Sequence, residues 1–83
     1  MSELSRLRWR CRRGIREMDL LLERFLDRCY PTLDHAQRAA FDHLLAEADL
    51  DIYSWITGRV APPEPAYGPI VQRLREIYDD HTD

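Results

Sequence analysis

The side chains that most often carry catalysis or bind metal are few in this 83-residue chain and poorly spaced for either task. His35 and His43 lie eight residues apart, about 12 Å along a helix, so they cannot share a tetrahedral ion. The sequence contains no C-x-x-C pair, no G-x-S-x-G turn and no phosphate-binding glycine loop. We therefore expect no metal site, no catalytic residue and no cofactor held by this chain.

The two cysteines allow different interpretations. Cys11 lies among arginines, whose positive charge would lower the pKa of its thiol and make it reactive. It also follows Leu7 by four residues, which is the spacing of a buried helix position and favours a core role. Cys29 continues the apolar stripe of Phe25 and Leu26 and is predicted to lie in the core. Since no export signal is visible, we expect reduced thiols in a cytoplasmic protein.

The basic residues are distributed unevenly. All twelve are arginines, and six of them stand in residues 1–16 beside a single acid, which gives that segment a net charge of +5. The other 67 residues hold six arginines and fourteen acids, a net charge of −8. The planar guanidinium group suits carboxylates and phosphates. A basic arm on an acidic body therefore predicts a charged docking surface.

The most informative part of this arm is residues 9–17, W-R-C-R-R-G-I-R-E. Gly14 would leave the backbone bare between two helices, so that another protein could approach closely. Arg13 and Glu17 flank it four positions apart, and Glu17 stands in the first turn of the next helix, where the helix dipole favours an acid. Two interpretations stay open: a docking site, or a capped junction closed by an exposed Arg13–Glu17 ion pair worth about 0–1 kcal/mol.

The elements that position these residues are all helical. Apolar residues recur at three- and four-residue spacing, and no segment alternates with period two. We predict an all-α protein, a compact bundle of five short helices that forms one domain over residues 1–83. The first helix spans about residues 3–12 and ends at Gly14; Gly58 ends the fourth in the same way. Pro31 stops the second.

The later helices are marked by their caps. Asp34 opens the third helix, and Gln37 completes a capping box. Asp49 or Asp51 caps the short fourth helix. A stiff, proline-bearing connector over residues 59–68 leads to the fifth.

Each helix has an apolar stripe that faces a shared core. The predicted core residues are Met18, Leu21, Leu22, Phe25, Leu26 and Cys29 in the second helix, Ala36, Ala40, Phe41, Leu44, Leu45 and Ala48 in the third, Ile52, Trp55 and Ile56 in the fourth, and Ile70, Leu74, Ile77 and Tyr78 in the fifth. Tyr30 and Tyr53 are placed at the rim. Trp9 lies two positions off the face of Leu7 and Cys11, so it is either an exposed contact residue or a core residue.

The segment Arg13-Gly14-Ile15-Arg16-Glu17 matches the RGxxE motif of the SdhE family, the flavinylation factors of succinate dehydrogenase. The resemblance continues on both sides, because Trp9, Cys11, Arg12 and Asp19 fit the N-terminal pattern of the family. Residues 49–56, D-L-D-I-Y-S-W-I, resemble its second signature, an acidic start followed by an aromatic residue and a W-[LI] pair. Length, helix order and connector also agree, so the resemblance covers essentially the whole chain.

This resemblance implies an assembly factor rather than an enzyme. Members of the family bind the flavoprotein subunit of succinate dehydrogenase, in bacteria also that of fumarate reductase, and promote covalent attachment of FAD to a histidine of that subunit. The expected partner-binding residues are Arg13, Gly14, Glu17, Trp9, Arg12, Arg16 and Asp19. For Asp19, and equally for Asp49, an acidic cap or a solvated side chain stays an alternative. We expect a monomer that neither inserts into a membrane nor binds free FAD tightly.

Two other functions stay open. The arginine-rich first helix could neutralise several phosphates of a nucleic acid, with binding that weakens steeply as salt rises. The net charge of −3 and the lack of aromatic residues other than Trp9 among the arginines argue against it, so no nucleic-acid partner is expected. The second is an antitoxin-like role as the partner of a small membrane protein. No residue here separates that role from flavinylation.

Overall fold

Five α-helices and two short 3-10 turns account for the regular structure of residues 2–81, the part of the chain that the computed structural model describes (for His81, the backbone alone). The helices are α1 Glu3–Arg10, α2 Arg16–Arg28, α3 His35–Leu44, α4 Asp49–Ile56 and α5 Gly68–His81. The 3-10 turns are Tyr30–Thr32 and Pro65–Tyr67, and no strand occurs in these residues. The all-α prediction with five helices is confirmed.

The long C-terminal helix α5 is the centre of the packing. It contacts α2, α3 and α4, so its apolar side is covered by three helices. The radius of gyration is 11.7 Å, close to the ~12 Å of a compact chain of this length. The predicted compact bundle is therefore confirmed.

The N-terminal cap of α3 agrees with the prediction from the sequence, and that of α4 differs from it. The Asp34 side chain accepts from the Gln37 N–H, and the Gln37 side chain accepts from the Asp34 N–H, so the capping box is present. The N-cap of α4 is Ala48, without a side-chain cap. The prediction that Asp49 or Asp51 caps α4 is wrong, because both stand inside its first turn and Asp49 binds an arginine instead.

The turn between α1 and α2 also departs from the prediction. The first helix ends at Arg10, two residues earlier than expected, and Cys11 is its C-cap. Gly14 has the positive φ of +88° that glycine favours, yet it lies three residues beyond that cap. The chain therefore changes direction between α1 and α2 through residues 11–15. In this turn the backbone N–H groups of Arg13 and Gly14 donate to the Asp19 carboxylate rather than to helix carbonyls. Gly58, with φ +79°, does follow the C-cap of α4 as predicted.

The core contains most of the predicted side chains. Phe25 and Phe41 stack at its centre with ring centroids 4.7 Å apart. The fully buried large side chains are Phe25, Phe41, Leu7, Met18, Leu21, Leu22, Leu26, Leu44, Ile52, Ile56, Ile70 and Leu74. Leu33, Tyr67 and Val71 are buried as well, although the sequence did not single them out.

Five of the core and rim assignments need correction. Ala36 and Ala48 are exposed, because Ala36 stands in the outer first turn of α3 and Ala48 lies beyond its end. Cys29 at the end of α2 and Tyr78 in α5 are only partly buried. Tyr30 is buried rather than at the rim, since its ring packs 5.9 Å from that of Phe41.

Two leucines of similar chain position but opposite burial test this core. Leu44→Ala should lower the free energy of unfolding by about 2–5 kcal/mol, because Leu44 is fully buried and its truncation leaves a cavity. Leu50→Ala makes the same chemical change at an exposed site and should stay within about 0.5 kcal/mol of wild type. Urea denaturation measures both values. Equal effects at the two sites would contradict the assigned core.

Candidate functional site

Arg13 joins the turn between α1 and α2 to the turn between α3 and α4. Its Nε donates to Asp49 Oδ1 at 2.6 Å, its Nη1 to the Leu45 carbonyl at 2.5 Å and its Nη2 to the Glu47 carbonyl at 2.7 Å. These carbonyls lie just past the end of α3, where no helical N–H is available to them. Only 14% of the Arg13 side chain is exposed. Arg13 is thus an internal brace between two turns.

The Arg13–Glu17 ion pair of the capped-junction interpretation does not form. Arg13 pairs with Asp49 instead, because α1 ends at Arg10 and α2 begins at Arg16. Arg13 lies in neither helix, so a spacing of four residues does not place it on one face with Glu17. Glu17 is half-buried and makes no hydrogen bond or ion pair with other groups of residues 2–81.

Asp19 holds the backbone of the same turn from the other side. One carboxylate oxygen accepts from the Arg13 N–H at 2.8 Å, and the other accepts from the Gly14 N–H at 3.1 Å. Ile15, the N-cap of α2, provides no side-chain cap, so Asp19 satisfies backbone donors that precede the helix. Asp19 is therefore neither a helix cap nor a solvated side chain, because its carboxylate is used to hold the turn before α2.

Gly14 is exposed at the outside of this braced turn. A Cβ built on Gly14 would meet no atom within 4 Å, so any side chain here would project into open space. The backbone conformation, with φ +88°, is one that other residues adopt at a cost. Together, Arg13 and Asp19 hold a bare stretch of backbone in a fixed position that another protein can reach.

Most of the basic arm is neutralised within the protein. Four of its six arginines pair with acids: Arg6 with Glu3 and Asp42, Arg8 with Glu23 and Asp27, Arg10 with Asp42, and Arg13 with Asp49. Arg12 and Arg16 are exposed and form no ion pair with other groups of residues 2–81. Of the arginines behind the predicted docking surface, these two alone have no ion pair within residues 2–81.

Trp9 is an exposed side chain, so the interpretation of Trp9 as a core residue is wrong. It exposes 67% of its surface, more than a core residue could. The guanidinium carbon of Arg12 lies 5.4 Å from the centre of the indole ring, within the range of a cation–π contact. The side chains of Trp9 and Arg12, two of the predicted site residues, therefore lie side by side near the turn that Arg13 holds.

The partners of Arg13 were not identified from the sequence. Asp49, Leu45 and Glu47 are more than thirty positions from Arg13, and two of them act through backbone carbonyls, which no side-chain pattern reveals. Glu47 also accepts from the Tyr67 hydroxyl at 2.9 Å. Burial, followed by this hydrogen bond to Glu47, raises the pKa of Tyr67 to about 12. The connector before α5 is thereby tied to the turn that Arg13 holds.

Cys11 is a core residue and not a reactive thiol. It exposes 2% of its surface, and burial raises the pKa of its thiol to about 11. The positive charges of Arg13, Arg8 and Arg10 act in the opposite direction but are outweighed. The interpretation of Cys11 as an activated nucleophile is wrong.

Residues 2–81 also contain no group of three His, Cys, Asp or Glu side chains placed to hold a metal ion. Within the same residues, no helix combines the length and apolar character needed to cross a membrane.

Comparison with known proteins defines the family. Residues 5–78 match the family described as the flavinator of succinate dehydrogenase. A protein named FAD assembly factor SdhE from Methylococcus capsulatus is 36% identical over 77 residues, 93% of each chain. Proteins of the same name are 33% identical in Coxiella burnetii, over 88% of this chain and 89% of that one, and 45% identical in Legionella pneumophila, over 72% and 76%. The chain belongs to this family, whose curated members are named as assembly factors rather than enzymes.

Alanine substitutions at Arg13 and at the neighbouring Arg12 test whether Arg13 stabilises the fold from inside. Arg13→Ala should lower the free energy of unfolding by about 2–3 kcal/mol, because it removes three charge-assisted hydrogen bonds and leaves their acceptors unsatisfied. Arg12→Ala removes the same charge from an exposed position and should change stability by at most about 0.5 kcal/mol. Thermal and urea unfolding measure the difference, and equal stabilities would show that Arg13 is not a brace.

The two thiols should differ in reactivity. At pH 8 only about one Cys11 thiol in a thousand is ionised if its pKa is about 11, and the group is buried as well. Iodoacetamide should therefore modify the folded protein once, at the partly exposed Cys29, and twice in denaturant. Mass spectrometry of wild type and Cys29→Ser assigns the site. Rapid modification of folded Cys29→Ser would contradict the buried state of Cys11.

Proposed function

We propose that this chain is an FAD assembly factor that binds the flavoprotein subunit of succinate dehydrogenase and promotes covalent attachment of FAD to it. The whole chain, residues 1–83, acts as one domain, and it acts as a monomer in the cytoplasm. Membership of the flavinator family supports the class of function. The observation that carries the proposal is the bare, outward-facing backbone at Gly14, which is fixed from inside by Arg13 and Asp19.

The predicted site residues divide into two groups in this proposal. Arg13 and Asp19 are positioning residues, because their hydrogen-bonding groups are used within the protein. The contacts with the flavoprotein come from groups that the fold leaves available, namely Gly14, Trp9, Arg12, Arg16 and Glu17. A preorganised turn loses little conformational entropy on docking, which favours affinity.

The attachment chemistry belongs to the flavoprotein. Cys11 is buried and protonated, so it offers no nucleophile to a partner. A binding protein can still accelerate attachment if it binds more tightly to the flavoprotein conformation in which the FAD and the accepting histidine are adjacent, because this differential affinity raises the population of that conformation. The flavoprotein subunit of fumarate reductase is proposed as a second client of the same surface.

Substitutions at two glycines with similar positive φ distinguish an effect on docking from an effect on folding. Gly14→Arg should abolish flavinylation, because its side chain would hold the partner away from the backbone. Gly58→Arg should leave flavinylation unchanged, since Gly58 is exposed at the far end of α4. Both positions have positive φ and open space around them, so each variant should lose a similar ~1–2 kcal/mol of stability.

The measurement is in-gel flavin fluorescence of the denatured flavoprotein subunits of succinate dehydrogenase and fumarate reductase. Each variant complements a strain that lacks the factor, and its melting temperature is measured in parallel. Wild-type levels of covalent flavin with Gly14→Arg would refute docking at this turn. Equal loss with both variants would assign the defect to stability rather than to contact.

A further inference from the structure

We infer that the surface that docks the flavoprotein extends from the Gly14 turn onto the first turn of α4, where Leu50 is its apolar contact. This inference rests on the proposed function. Leu50 exposes 76% of its surface, more than any other large apolar side chain of residues 2–81. It is the second residue of α4, and the buried side of that helix is formed by Ile52, Trp55 and Ile56, so the core does not use it.

The Arg13 brace places Leu50 beside the Gly14 turn. Arg13 Nε and Asp49 Oδ1 are 2.6 Å apart, and Gly14 and Leu50 are the next residues in the chain after these two. The bonds from Arg13 to the carbonyls of Leu45 and Glu47 fix the segment that leads into α4. The hydrogen bonds of Arg13 therefore hold the two turns together although they are more than thirty residues apart in sequence.

Tyr53 joins α4 to α5 and also responds to a charge on α2. The pKa of Tyr53 is raised, first by its hydrogen bond with Tyr78, then by burial and by the negative charge of Glu17. Tyr53 lies one turn after Leu50, and the Tyr53 ring meets the edge of Tyr78 at 6.4 Å. The charge of Glu17, a proposed contact residue, thus acts on a residue of the helix that carries Leu50.

An isolated exposed leucine is ordinary on a protein surface. Here Leu50 and the exposed Ile15 stand on two segments that the Arg13–Asp49 pair joins, one residue after Asp49 and two residues after Arg13. An apolar area of this kind beside a fixed backbone turn is a typical centre of a protein–protein interface.

The exposed charges of Arg12 and Arg16 indicate what binds to this surface: an apolar patch of the flavoprotein subunit that is surrounded by acidic residues. Arg12 and Arg16 are exposed and have no acid partner in residues 2–81, whereas the other four arginines of the arm do. A partner that covers Ile15 and Leu50 with apolar side chains and faces the two arginines with carboxylates matches both features. Rim charges of this kind mainly raise the association rate.

The test compares two exposed aliphatic residues at opposite ends of α4. Leu50→Asp should weaken binding to the purified flavoprotein subunit by about tenfold or more, as loss of a central apolar contact does. Val60→Asp introduces the same charge at a site that is 53% exposed beyond the C-terminal end of α4 and should leave the affinity within about twofold of wild type. Leu50→Asp should fold, because an acid in the first turn of a helix is favoured by the helix dipole. Leu50→Ala, which adds no charge, should show a smaller loss of affinity. It replaces Leu50→Asp in the binding test if Leu50→Asp does not fold.

Biolayer interferometry with the immobilised subunit gives the affinities, and circular dichroism verifies the fold of each variant. If both Leu50 variants bind as wild type does while Gly14→Arg does not, the surface ends at the Gly14 turn and the inference is overturned, although the proposed function stands. Equal losses with Leu50→Asp and Val60→Asp would also overturn it. If the wild-type protein itself does not bind the subunit, the proposed function fails.

Discussion

The hydrogen bonds of the Arg13 guanidinium group are the constraint on which the site depends. They connect a turn near the start of the chain to a turn in its middle, and they satisfy carbonyls past the end of α3 that no helix N–H can reach. Asp19 completes the arrangement by holding the backbone N–H groups of Arg13 and Gly14. Because the guanidinium is largely shielded from water, these charge-assisted bonds are stronger than those of a surface ion pair.

This arrangement explains how a small helical protein can present a specific surface without a deep cleft. Asp19 binds the N–H groups of Arg13 and Gly14, so the exposed backbone with its positive φ does not need to be ordered when a partner arrives. The same internal pairing neutralises most of the arginines of the arm and thereby reduces a general attraction for polyanions. Among the arginines of the arm, Arg12 and Arg16 remain exposed without an ion pair to other groups of residues 2–81.

The sequence predicted the helices and most of the core because both depend on local spacing. The α3 capping box at Asp34 is one example, since both of its partners lie within four residues of each other. The same reasoning failed for Arg13, because an interval of four residues indicates a shared face only inside a continuous helix, and the chain is not helical between Arg10 and Arg16. It also failed for the pKa of Cys11, where burial outweighs nearby charge, and burial depends on the tertiary fold. The sequence singled out the motif residues, whereas the internal hydrogen bonds of Arg13 and Asp19 became visible only in the structure.

The most direct test of this account is a double-mutant cycle between Arg13 and Asp49. The free energy of unfolding and the affinity for the purified flavoprotein subunit are measured for wild type, Arg13→Ala, Asp49→Ala and the double variant. If Arg13 acts as an internal brace with Asp49, both single variants lose stability and affinity, and the double variant is less impaired than the sum of the two, with a coupling energy of about 1–3 kcal/mol. If Arg13→Ala alone loses affinity, with stability unchanged and Asp49→Ala behaving as wild type, then Arg13 contacts the partner directly and the account is contradicted.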